Sequence, residues 1–86
     1  MSYQIIIPKA VQKQIDKLAN DIQNSVIQSL LSLSENPRPS NSLKMKNNQG
    51  YRLRVGEYRV LYDIYDKTQV LTLRRIAHRR DIYRNN

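Results

Sequence analysis

Three arginines fall within one short stretch, Tyr51-Arg52-Leu53-Arg54-Val55-Gly56-Glu57-Tyr58-Arg59-Val60-Leu61-Tyr62, at spacings that can bring their guanidinium groups together. Two runs of alternating residues flank Gly56-Glu57, a Gly-X pair of the kind that closes a two-residue β-hairpin. With that loop, Val55 pairs with Tyr58 and Arg54 stands opposite Arg59. Side chains alternate between the two faces of a strand. Tyr51, Leu53, Val55, Tyr58, Val60 and Tyr62 therefore share one face, and Arg52, Arg54 and Arg59 share the other. Like charges facing each other across a sheet destabilise it. A cluster kept in spite of that repulsion marks a site for a polyanion, which planar guanidinium groups can grip two oxygens at a time.

The charge of the whole chain agrees. Its 86 residues carry a net charge of +8. From Lys44 onward, eleven basic residues face four acids, whereas the preceding part has four bases and three acids. The excess belongs to the hairpin and to the residues after it, and such asymmetry reads as nucleic-acid binding. A basic helix lying on a membrane fits less well, because the charges sit on strand-like segments. There is no cysteine and a single histidine. Neither a disulfide nor a thiolate metal site is available, and no metal or cofactor is expected. The absence of cysteine fits a reducing cytoplasm. No apolar stretch approaches membrane-spanning length, and Gln4-Ile5-Ile6-Ile7 runs straight into Pro8-Lys9, unlike a signal peptide.

The elements that must position the arginines follow from periodicity. Tyr3 to Ile7 reads as a short strand. Pro8 suits a first helical position. Val11, Ile15, Leu18 and Ile22 recur at helical spacing, and Val26, Leu30 and Leu33 continue it. Asn20-Asp21 can cap a second helix, so the segment reads as a helical hairpin with a break near Ala19-Asn20, one long helix to Glu35 being the alternative, and Asn36-Pro37-Arg38-Pro39-Ser40-Asn41-Ser42 ends it. A basic connector, Leu43 to Gln49, precedes three strands near 50–55, 58–65 and 69–76. The predicted fold is α+β: a single domain over residues 1–86, in which a small antiparallel sheet packs one face against an N-terminal helical hairpin, in the order β-α-α-β-β-β with a short C-terminal helix or tail. The tyrosine face should meet Val11, Ile15, Ile22, Val26 and Leu30. The arginine face stays open. Arg74 can then approach Arg59, with Arg75 on the opposite face, and a tail from His78 hangs beside Arg54. The core is complete by Ile76, so a chain lacking the tail should still fold.

The hairpin, the third apolar run Val70-Leu71-Thr72-Leu73 and the tail His78-Arg79-Arg80-Asp81-Ile82-Tyr83-Arg84 together resemble the RelE/ParE superfamily of bacterial toxins, and within it the RelE-type mRNA interferases. The resemblance covers almost the whole chain. It implies the toxin of a type II toxin–antitoxin pair. Such a toxin cuts mRNA in the ribosomal A site without a metal. Its partners are a cognate antitoxin, the ribosome and mRNA, with operator DNA reached only through the antitoxin.

By that resemblance, Arg52 and Arg54 match two basic positions of the family's second strand, Arg59 the arginine after the hairpin turn, Arg79 the tail arginine, and Tyr83 the tail tyrosine. The first two are often lysine in the family. A lysine can shuttle a proton, whereas an arginine cannot. Cleavage by 2′-hydroxyl attack needs in-line alignment, charge stabilisation on the phosphorane and a proton for the leaving 5′-oxygen. Arginines supply the first two. Tyr83, its ionisation favoured by surrounding positive charge, and His78, with an ordinary pKa near neutrality, are the two candidate bases. Lys44, Lys46, Arg74, Arg80 and Arg84 read as general RNA contacts. Two alternatives stand beside the endonuclease: a non-catalytic gyrase inhibitor of the ParE branch, and a plain RNA-binding module.

Overall fold

The structure is a computed structural model and describes residues 2–46 and 50–82. Strand β1 spans Gln4–Ile6. Helix α1 spans Lys9–Asp16 and α2 spans Asn20–Glu35. Four strands follow: β2, Ser42–Lys44; β3, Tyr51–Val55; β4, Tyr58–Tyr65; and β5, Val70–His78. They form one five-stranded sheet in the order β1-β5-β4-β3-β2. Neighbours run antiparallel except β1, which lies parallel to β5.

The helical hairpin breaks where its pattern does. Lys17 leaves α1, and Ala19 is extended at φ −60° and ψ 153° before α2 begins. Val11 and Ile15 of α1 and Val26, Leu30 and Leu33 of α2 are buried against Leu53, Val55, Val60, Tyr62, Leu71, Leu73 and Ile76 of the sheet. Leu18 and Ile22 pack partly buried beside them. Each fully buried aliphatic side chain contributes about 1.5–3 kcal/mol, so the alternation in β3 and β4 fixes which face is covered. No helix among the described residues is long and apolar enough to cross a membrane.

The hairpin closes as expected. Gly56 has φ +58° and Glu57 does not share that sign, the arrangement of a type II′ turn. Val55 pairs with Tyr58 and Arg54 with Arg59. Gly50, at φ +85°, is needed for a second reason: a Cβ there would lie 2.6 Å from the Tyr62 carbonyl oxygen and 2.5 Å from Asp63 Oδ1.

Three departures shape the open face. Ser42–Lys44, expected within or beside a connector, is a strand that extends the sheet past β3. The registry between β4 and β5 slips at Leu61/Tyr62: Leu61 pairs with Arg75 but Tyr62 with Leu73, which leaves Arg74 as the extra residue of a bulge. The tail does not hang beside Arg54, because β4 lies between β5 and β3. β5 continues to His78, and residues 79–82 turn back, with Ile82 buried at 3% exposure although it stands apart from the helix-side core. The fold is therefore not complete at Ile76.

Candidate functional site

Arg52 is paired with Leu61, and Arg54 with Arg59, so all three arginines emerge from the face turned away from the helices. β2 supplies a wall. Leu43 pairs with Arg52, and Asn41 extends the contact: the Arg54 backbone N–H donates to the Asn41 carbonyl at 3.2 Å, and Asn41 Nδ2 donates to the Arg54 carbonyl at 2.9 Å. Between them lies an open cleft of about 340 Å3, lined by Ser40, Asn41, Ser42, Leu43 and the three arginines. Sequence reasoning found the arginines and missed the other wall, because Ser40 to Leu43 carries no periodicity of its own and is ordered by pairing with β3.

Arg59 is held at the hairpin turn. Its Nη1 donates to the Gly56 and Tyr58 carbonyls, each at 2.9 Å. Arg79 reaches the same turn from the end of β5. Its backbone N–H donates to the Glu57 carbonyl at 2.7 Å, and its Nε lies 3.3 Å from Glu57 Oε1. Both side chains of that ion pair are more than half exposed, so it contributes little and yields readily to a competing anion. Arg79 thus stands at the rim beside Arg59, whose partner on β5 is Ala77.

His78 takes the other face. It pairs with Tyr58, and their rings meet edge to face with centroids 5.4 Å apart. Its Nδ1 accepts from the Arg80 backbone N–H at 3.2 Å and from Arg80 Nε at 3.3 Å. The alternation that brings Ala77 beside Arg59 therefore turns His78 away from the arginine cleft. Tyr83 and Arg84 lie outside the described residues. Lys46 is exposed. Lys44 and Arg74 line a different concavity, at the end of the sheet where β3 begins and β4 ends.

The bulge also overturns the expectation that Arg74 and Arg75 occupy opposite faces. Arg74 Nε lies 3.7 Å from Asp63 Oδ2, and Asp63 shares the open face with Leu61. Arg75, opposite Leu61, points to that face too and holds the tail: Nη2 donates to the Asp81 carbonyl at 3.0 Å and Nη1 to the Ile82 carbonyl at 3.1 Å. Nothing in strict alternation marks a bulge in advance.

A second network ties the loop after α2 to the β4–β5 turn. Arg38 donates through Nη1 and Nη2 to the two Asp66 carboxylate oxygens at 3.2 and 2.8 Å, and through Nε to the Tyr51 hydroxyl at 3.0 Å. The Tyr3 hydroxyl donates to Asp66 Oδ1 at 2.7 Å. The Arg38 and Tyr3 donors hold the Asp66 carboxyl below its ordinary range, and the same bond to Asp66 raises the Tyr3 hydroxyl above its own. Burial pushes Tyr62 up as well, and its hydroxyl donates to the Pro37 carbonyl at 2.7 Å. Among the described residues, no three His, Asp or Glu side chains converge as a metal site.

The chain and its fold have known relatives. The family described as the ParE toxin of type II toxin–antitoxin systems, parDE, matches residues 5–83. The RelE1 protein of Methanocaldococcus jannaschii is 27% identical over 89 residues, spanning 99% of each chain. In the archaeal RelE–RelB complex from Pyrococcus horikoshii OT3, a chain 26% identical superposes with a TM-score of 0.82, covering 92% of this chain and 97% of that one. The fold recurs in the RelBE2 toxin–antitoxin complex of Mycobacterium tuberculosis, with a TM-score of 0.76 at 24% identity and coverage of 91% and 99%. An antiparallel sheet backed by a helical hairpin, matched along nearly its whole length by a toxin family, places this chain in the RelE/ParE superfamily of type II toxin–antitoxin toxins.

Proposed function

We propose that this toxin is a ribosome-dependent mRNA endonuclease that works without a metal. The observation that carries the reading is the convergence of Arg52, Arg54 and Arg59 in one open cleft, with Arg79 at the adjoining turn. In this reading, mRNA in the ribosomal A site lies along the cleft. Its 2′-oxygen attacks the adjacent phosphorus, the P–O5′ bond breaks, and the products are a 2′,3′-cyclic phosphate and a 5′-hydroxyl. Arg52 and Arg54 align the phosphodiester. Arg59 and Arg79 stabilise the charge that grows on the non-bridging oxygens, where fixed donors are worth most. The 2′-hydroxyl gives its proton to a base, for which Tyr83 is the candidate, and the leaving 5′-oxygen takes a proton from solvent to become the 5′-hydroxyl. His78 is less suited, since its ring packs on Tyr58 across the sheet. Lys46, Arg80 and Arg84 add general RNA contacts, and Lys44 and Arg74 extend the basic surface beyond the cleft.

A cognate antitoxin is the expected protein partner. The related toxins crystallise as RelE–RelB and RelBE complexes, and operator DNA would be reached through that antitoxin. The reading places the toxin in the cytoplasm, with its ribosomes. A second reading is gyrase inhibition, favoured by the ParE description of the family that matches residues 5–83. A gyrase inhibitor has no need of three arginines converging in one open cleft, which is why the endonuclease stands first. The deciding experiment is cell-free translation with added protein, mapping mRNA 3′ ends by primer extension, alongside a gyrase supercoiling assay. Cuts confined to translated codons support the endonuclease. Intact mRNA with blocked supercoiling gives the answer to the ParE branch.

A further inference from the structure

A second concavity is larger than the arginine cleft. It holds about 550 Å3 at the opposite end of β3, framed by Arg38, Lys44, Gly50, Tyr51, Asp63 and Arg74. Three cations face one carboxylate there. By strand rise, Gly50 stands about 13 Å along β3 from Arg54, so the two clefts lie on one strand. Gly50 keeps the floor open, since any Cβ at that position would enter the space held by Asp63 and the Tyr62 carbonyl.

Its side chains form a stack. Tyr62 is fully buried, and the Tyr51 ring lies against it with centroids 5.8 Å apart and planes 28° off parallel. Arg38 lies over Tyr51, with its guanidinium carbon 5.3 Å from the ring centroid. Asp66 and the Tyr51 hydroxyl bind that guanidinium from three nitrogens and fix its plane. The Arg38 side chain is still 44% exposed, so the stack ends in a rigid plane open to solvent. Tyr65, 52% exposed, stands at the same cleft. Unpaired bases stack on such guanidinium and aromatic planes, which a duplex cannot use because its bases are hidden.

We propose that this cleft is a second single-stranded RNA subsite, in which the plane of Arg38 carries a base while Lys44 and Arg74 hold the flanking phosphates. Asp66 holds the Arg38 guanidinium in place by two hydrogen bonds and leaves its plane as a stacking surface. Lys44 and Arg74 supply the attraction, Arg74 by exchanging its 3.7 Å contact with Asp63 for a phosphate. The stack lies on the helix-side face with Tyr51 and Tyr62, so a strand that fills both sites passes around the end of the sheet beside Gly50, where Lys44 and Arg74 stand, to reach the arginine cleft on the open face. The inference rests on the RNA-cleaving reading for its biological setting, but its test is separate.

The test is fluorescence anisotropy of the full-length protein with labelled single-stranded oligoribonucleotides of about three and about twelve nucleotides, over a salt series. Wild type is compared with Lys44→Ala/Arg74→Ala and with Arg38→Lys. Wild type should bind the long oligonucleotide more tightly than the short one. The double variant should melt like wild type and bind the short one equally well. Its log–log salt slope for the long one should fall by about 1.4, about 0.7 for each phosphate that is no longer neutralised. Arg38→Lys keeps the charge but loses the plane, and should weaken long-oligonucleotide binding about tenfold at unchanged slope. Unchanged affinity and slope in the double variant overturn the proposal, and so does equal loss with both lengths. If Arg38→Lys melts lower, the exposed double variant alone decides. A wild type that cuts translated mRNA beside a silent double variant rejects only the second subsite. A wild type that binds RNA through this cleft but leaves translated mRNA whole rejects only the endonuclease.

Discussion

Arg54 and Arg59 are direct cross-strand partners on the open face of the sheet. Two permanent positive charges in register work against the hairpin that carries them. The fold accommodates them by binding the Arg59 guanidinium to the Gly56 and Tyr58 carbonyls. These are exposed or half-buried contacts of an unstrained turn, so they can exchange for a phosphate without disturbing the core.

Arg59→Ala should therefore separate activity from stability. Truncation opens no cavity and relieves repulsion, so the melting temperature should stay level or rise slightly. Cleavage on ribosomes should fall by about 10²–10³, the usual cost of one lost transition-state donor. Single-turnover cleavage and thermal melting are read on the same preparation. A folded variant with full toxicity would remove Arg59 from the site.

The tail should prove part of the fold. Ile82 is buried at 3% exposure, and Arg75 donates to the carbonyls of Asp81 and Ile82. Ile82→Ala should cost roughly 2–4 kcal/mol in urea unfolding, the range for emptying a buried aliphatic site. Removing residues 78–86 should leave a chain that melts early or fails to fold. An Ile82→Ala variant as stable as wild type would show that the turn after β5 is dispensable.

Tyr83 is tested by two changes. Tyr83→Phe keeps the ring and loses the hydroxyl, so it should slow single-turnover cleavage with little effect on ribosome binding. Tyr83→Ala should weaken both. Equal rates for wild type and Tyr83→Phe would exclude Tyr83 as the base.

The hairpin at Gly56 shows why part of the site was legible in sequence. A two-residue loop fixes registry by itself, and alternation on either side then places Arg52, Arg54 and Arg59 on one face without knowledge of anything distant. Arg74 shows why the rest was not. A bulge between β4 and β5 depends on how two strands meet over their whole length, and by taking up Arg74 as an extra residue it brings Arg75 onto the open face. β2 is three residues long and owes its conformation to β3. Arg38 meets Asp66 across 28 positions of chain, and such a pair leaves no local mark. His78 has the right chemistry at a plausible place in the sequence, yet one residue of alternation puts it on the wrong face.

The acid side of the stability curve should report the Arg38–Asp66–Tyr3 network. The Asp66 carboxyl is held below its ordinary value of about 3.9. The unfolded chain therefore takes up this proton first as pH falls. Its stabilising contribution is present in full above about pH 4 and is lost as pH drops through the lower folded value. Asp66→Asn should be less stable than wild type at neutral pH, and the difference should shrink in acid. Urea midpoints at neutral pH and below pH 4 check it. A constant difference would mean that the carboxylate charge plays no part.

The parallel pairing of β1 with β5 also sets the order in which the molecule can be built. β5 has β1 on one side and β4 on the other, yet it is the last of the strands in chain order. Until Val70 to His78 leaves the exit tunnel, β1 has no neighbour in the sheet, and Ile76, Leu73 and Leu71 are missing from beneath the helices. Nonlocal closure of this kind comes late in folding. A chain that has not yet released β5 therefore lacks the complete five-stranded sheet that carries its arginine face.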